Sequence, residues 1–265
     1  MTGGHVGAWL LVAACASQPA GPPQNVASAA SPHVTIAPDQ ALGWIGIAPR
    51  PAREPGDWIP AGAQAVLVPM PADGLAIGAT LSAIDTTGSV THVTAGAPTK
   101  VPYGCEHHQL DILPFTGDKS RPGPVWLLPP TAPAIWSPRS LAIVSPVAAT
   151  EVRRRDTVGP LSLELERSDA THGTLTIARD GRVLHTAAIS RGAMEGAPPD
   201  PLDFQHPGVA IPVPAAAWSF VDGGPILLVL QVPSYEGLQL TPILVEPEGA
   251  RELPAMATYL YRCAF

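Results

Sequence analysis

The chain has 265 residues, 46% of them hydrophobic and 14% charged, with a formal net charge of −7. That length suffices for one large domain or two small ones, and the acidic balance argues against nucleic acid, which demands a basic footprint. The chain has 33 prolines and 25 glycines; the spread of prolines argues against long helices, because an interior proline costs about 3 kcal/mol, and short strands with many turns are expected instead.

In chain order the first feature is a short apolar run, Val6 to Ala14, which closes on Val12-Ala13-Ala14 directly before Cys15. This arrangement resembles the lipobox of bacterial lipoproteins, where small residues precede a cysteine that becomes the lipidated first residue of the mature protein. The resemblance implies that residues 1–14 are a signal peptide, that Cys15 carries a lipid anchor, and that the protein is membrane-anchored in the cell envelope on its extracytoplasmic side. The run is far shorter than the ~20 apolar residues a membrane span needs. Residues 15–38 follow, rich in Ala, Ser, Pro, Gly and Gln, and no Asp, Glu, Lys or Arg occurs before Asp39. With little to bury, such a stretch does not offset its ordering entropy and is expected to be a disordered tether.

Residues 39–150 are expected to form a β-rich first half. Ala65–Pro69, Leu75–Ile84, Gly88–Thr94 and Pro124–Pro130 read as strands, separated by the Pro-Ala-Asp-Gly and Asp-Thr-Thr-Gly turns. A division is expected near residues 146–158, since Pro146 to Gly159 is polar, basic and turn-rich. Arg153-Arg154-Arg155 reads there as a solvated linker, the competing reading being a contact to anionic lipid or phosphate.

Residues 151–265, which carry most of the acidic surplus, read as a β-sandwich-like second half. Leu161, Leu163 and Leu165 alternate with Ser162, Glu164 and Glu166, the period of a half-buried strand. Asp180-Gly181 between Gly173–Arg179 and Arg182–Ile189 is a strong hairpin signal. After a Pro-rich loop, Gly192 to Gly208, the run Ile226–Val232 reads as a strand buried on both faces. Pro247-Glu248-Gly249 joins a second hairpin, and Tyr259–Phe265 reads as a last strand. The expected class is all-β: antiparallel sandwich or open-barrel-like sheets in two β-rich halves.

If Cys15 is lipidated, Cys105 and Cys263 remain, and outside the cytoplasm such a pair usually forms a disulfide; the alternative is two separately buried thiols. The densest polar segment runs from Cys105 to Asp111. His107, His108 and Asp111 are its metal candidates, although adjacent histidines on a strand point to opposite faces, and the competing reading is a turn with exposed or hydrogen-bonded histidines. Oxygen ligands in the loop around Glu195, Asp200, Asp203 and His206 suit Ca²⁺, but the spacing matches no EF-hand. Of the six tryptophans, Trp44 and Trp58 lie in the most open context for stacking sugars, against core packing as the usual fate of Trp. No GxSxG, SxxK, GxxxxGK[ST], GxGxxG, HExxH or CxxC motif occurs.

These readings point to a non-catalytic envelope lipoprotein with a β-rich binding or structural body. It would hold the membrane through Cys15, require no cofactor, and meet an envelope protein or polysaccharide. The alternative is an anchored or secreted hydrolase with a metal- or carboxylate-dependent site in the 105–111 segment or the 195–206 loop.

Overall fold

The computed structural model describes residues 42–50, 64–70, 74–102, 109–192, 201–206, 208, 210–234 and 237–261. The chain is all-β, as the proline content and short apolar runs require. Among the described residues a 3-10 turn spans Pro254–Met256, and no helix is long and apolar enough to cross a membrane.

Seven strands occupy the first half: β1 (Trp44–Ala48), β2 (Val66–Pro69), β3 (Thr80–Ile84), β4 (Val90–Ala95), β5 (Thr99–Pro102), β6 (Gln109–Gly117) and β7 (Gly123–Leu128). Six of them close an antiparallel barrel in the order β1-β2-β6-β4-β3-β7, and β5 adds to β6 outside the ring. The closing pairs set Val66 opposite Phe115 and Ile47 opposite Leu67. Six strands enclose a narrow interior, and the residues that fill it are mostly small, including Ala48, Val66, Ala83, Val93, Ala95 and Val125, with the Phe115 ring buried among them. Gly117 (φ +143°) lets β6 cross β4 closely, since a Cβ there would stand 2.3 Å from the His92 carbonyl oxygen. Leu75–Ala79, expected as the start of a strand, instead forms turns leading into β3, because Gly74 and Gly78 adopt positive φ.

The remaining strands are β8 (Arg139–Ser140), β9 (Ile143–Ala149), β10 (Arg153–Val158), β11 (Leu161–Arg167), β12 (His172–Arg179), β13 (Arg182–Ser190), β14 (Val213–Ser219), β15 (Ile226–Pro233), β16 (Gly237–Val245), β17 (Ala250–Glu252) and β18 (Thr258–Tyr261). They build a five-stranded sheet, β13-β12-β11-β10-β9, and a second sheet, β17-β16-β15-β14-β8, with β18 also on β16. Both expected hairpins form, around Asp180-Gly181 and around Pro247-Glu248-Gly249.

The second sheet is a middle layer. On β15, Leu227 and Val229 pack with Ile45, Ile47, Leu67 and Trp126 on the outside of the barrel. Ile226, Leu228 and Leu230 pack with Leu161, Leu163, Leu165 and Ile177 of the five-stranded sheet. Burial on both faces explains the continuous apolar run. Thus one core draws on residues before and after position 150, and β8 and β9 join the later sheets although they precede that position.

The 146–158 region departs from expectation. Instead of a turn-rich crossover, β9 and β10 are paired strands, and Arg153-Arg154-Arg155 lies within the sheet. The reason is the period of two. Arg153 and Arg155 point outward, while Arg154 and Asp156 point inward and are 5% and 0% exposed. Arg154 Nε donates to Asp156 Oδ2 at 3.0 Å and its Nη2 donates to Ser145 Oγ at 2.8 Å. A buried arginine is tolerated because its charge is met in place.

Candidate functional site

A broad concavity lies on the outward face of the five-stranded sheet, where residues from β9 to β12 line about 740 Å³ of open space. Strand register orders this face into columns. Arg153 and Arg155 project from β10, Glu166 and Glu164 stand opposite them on β11, and Thr174 and Thr176 follow on β12. Arg153 meets Glu166 at 2.5 Å, and Arg155 Nε lies 3.7 Å from Glu164 Oε1. All four side chains are more than half exposed, so their pairing contributes little to stability. What it does is hold two rows of opposite charge in a defined pattern on a rigid surface.

The inner side of the same sheet is closed at one end by the segment 201–206. Leu202 and Phe204 are fully buried between the sheets. Their backbones are tied by Leu202 N–H to Ala170 O (2.7 Å) and Phe204 N–H to Glu151 O (3.2 Å), and the Arg167 guanidinium donates to Leu202 O at 2.7 Å. Gly173 makes room for the Phe204 ring, since a Cβ there would lie 3.2 Å from it. At the opposite end Arg179 donates to Gly223 O and Gly224 O, and Arg182 to Pro247 O and Glu248 O.

Of the metal candidates, His107, His108 and Asp200 lie outside the described residues, as do Glu195, Trp58 and all three cysteines, Cys15, Cys105 and Cys263. Asp111 sits on β6, a strand rather than a helix, and pairs with Lys100 across the β5–β6 register at 3.2 Å. Asp203 accepts the main-chain N–H of Gln205 and of His206, and its other oxygen meets His206 Nδ1 at 3.0 Å. The His206 hydrogen bond is the chief reason its carboxyl lies below the usual range. Asp169, in the β11–β12 turn, is arranged alike: the Thr171 N–H and then the His172 ring hold its carboxyl at about 2. Among the described residues no group of three or more His, Cys, Asp or Glu converges as a cation site.

The described tryptophans divide between core and barrel wall. Trp126 and Trp218 are fully buried, their ring centroids 6.1 Å apart, and Phe220 stands edge-on to Trp126 at 4.7 Å. Trp44 is half-buried and packs against the barrel core. The Arg–Glu columns escaped sequence reasoning because the arginines read as a linker. The signal was present in the period of two that puts Arg154, Asp156 and Val158 on the buried face and Arg153 and Arg155 on the exposed one.

Comparison of the chain with protein-family models, with curated proteins and with solved structures returns no match.

Proposed function

We propose that this protein is a lipid-anchored, extracytoplasmic envelope lipoprotein whose β body is a non-catalytic binding or structural module. Val12-Ala13-Ala14-Cys15 supports the anchor, and the uncharged stretch before Asp39 supports a spacer between lipid and body. The carboxylates of Asp111, Asp169 and Asp203 support the non-catalytic reading, because each is engaged by a neighbouring side chain or its own loop.

The observation that carries the binding reading is the open Arg–Glu face of the five-stranded sheet. Rows of fixed opposite charge favour a partner with the complementary pattern and repel one out of register, which yields specificity more than raw affinity. An envelope protein suits this pattern better than a polysaccharide, since the face offers charge columns rather than aromatic stacking surfaces.

Two variants in the native host test the reading. Cys15→Ser is expected to move the protein from the membrane to the soluble fraction. Arg153→Glu with Arg155→Glu is expected to leave it in the membrane but abolish a discrete adduct formed by a photo-crosslinker at Thr176. Unchanged fractionation of Cys15→Ser contradicts the anchor, and absence of any Thr176 adduct when Arg153 and Arg155 are retained contradicts the binding face.

A further inference from the structure

A second concavity of about 660 Å³ opens between the barrel and the middle sheet. Its walls come from the β3–β4 turn, the β6–β7 turn, the β8–β9 link and two positions on β14 and β15, so it is assembled from five separate stretches of chain. Clefts between packed layers are common places for small-molecule sites.

Three features define what this crevice accepts. Among the described residues Arg121 is the one charged residue of its lining, and its guanidinium has no hydrogen bond or ion pair there. The Arg121 main-chain N–H is engaged, donating to Asp85 Oδ2 at 3.1 Å, so the residue is anchored while its side chain is free. Asp85 does not line the crevice, and its charge is met by Thr87, Ser89 and Arg121 donors.

Gln231 is the second feature. It is the polar residue of the Ile226–Val232 run and continues the barrel-facing row of Leu227 and Val229. It is half-buried, its amide makes no hydrogen bond among the described residues, and it lines the crevice. An amide at the end of an apolar row loses hydration unless something polar meets it. Beside it, Ala215 is the extra residue of a β-bulge between Pro214 and Ala216, an irregularity that recurs next to binding sites.

Third, much of the remaining wall is apolar: Ile143 and the prolines at 122 and 124. A free cation, an unspent amide and an apolar wall in one cleft select a ligand with an anionic head and an apolar body.

We propose that this crevice binds a small organic carboxylate, with the carboxylate on the Arg121 guanidinium, a hydrogen bond to the Gln231 amide, and the apolar body against Ile143 and the prolines. The site is separate from the Arg–Glu face and does not depend on membrane anchoring.

The test uses the full chain labelled with ¹⁵N and two probes, phenylacetate and its neutral isostere phenylacetamide, each titrated into the millimolar range. Phenylacetate is expected to produce saturable amide shifts centred on Gly123, Ser140 and Ala215, and phenylacetamide to bind about tenfold more weakly, as loss of a charge-assisted hydrogen bond implies. Arg121→Ala is expected to weaken phenylacetate by about tenfold and leave phenylacetamide unchanged, while Gln231→Leu weakens both. Arg121→Gln serves if the alanine variant loses the native spectrum. Non-saturable or scattered shifts, or phenylacetate binding that ignores Arg121, overturn the proposal.

Discussion

The indole N–H of Trp218 donates to the main-chain oxygen of Asp85 at 2.8 Å, joining the middle sheet to the β3–β4 turn of the barrel across 133 positions of sequence. Both groups are buried, so neither has water as an alternative partner. Trp218→Phe removes the donor and leaves the carbonyl unsatisfied, at an expected cost of about 1–3 kcal/mol. Urea unfolding followed by far-UV circular dichroism measures it. A change below ~0.5 kcal/mol would show that this bond does not hold the two layers together.

The Asp85 side chain predicts the response to acid. Burial alone would raise its carboxyl, but the Thr87 hydroxyl and the main-chain N–H groups of Arg121, Thr87 and Ser89 outweigh burial and bring it below the ordinary carboxylate range. A carboxyl lowered in the folded state contributes stability above its unfolded value of about 3.9, and that contribution is lost as pH falls through the folded value. Asp169 and Asp203 are shifted in the same direction. The melting temperature is therefore expected to fall from about pH 5 toward pH 2. Asp85→Asn should melt lower than wild type at neutral pH and approach it at the acid end. Parallel curves would contradict this assignment.

Arg154 and Asp156 provide a sharper contrast. Their ion pair is buried, and Asp156 Oδ1 meets no donor among the described residues. Arg154→Leu strands the carboxylate in the core and is expected to cost about 3–5 kcal/mol, whereas Arg154→Leu with Asp156→Leu should recover most of that loss. Equal destabilisation of the single and double variants, compared by denaturant midpoints, would show that packing rather than charge dominates at this site.

Much of this fold is written locally. Asp180-Gly181 announces its hairpin, and Ile226–Val232 announces a strand with no solvent face, because turn chemistry and burial act on adjacent residues. The barrel is not legible in the same way. Its closure depends on β2 finding β6, with Val66 opposite Phe115, and no local pattern states such a pairing. Arg153-Arg154-Arg155 misleads for a related reason: composition suggests solvent, while the partners that bury Arg154 are Asp156 and Ser145 on paired strands. The crevice is less legible still, since Arg121, Ser140 and Gln231 meet only through the stacking of layers.

Cys105 and Cys263 are expected to be joined when the protein comes from an oxidising compartment. The described residues near them, Val101 and Leu110 on one side and Leu260 on the other, share one core. Peptide mapping without reduction should recover the linked pair, and the chain-entropy model assigns such a long loop about 5 kcal/mol. Two alkylatable thiols in freshly isolated envelope protein would contradict the bridge.

The intact mass of protein extracted from membranes of the native host tests the proposed lipid anchor on Cys15 most directly. The expected chain begins at Cys15, lacks residues 1–14, and carries the added mass of two or three acyl chains, because one chain gives only marginal binding. A chain that retains Met1, or one that begins elsewhere with no lipid, would contradict it.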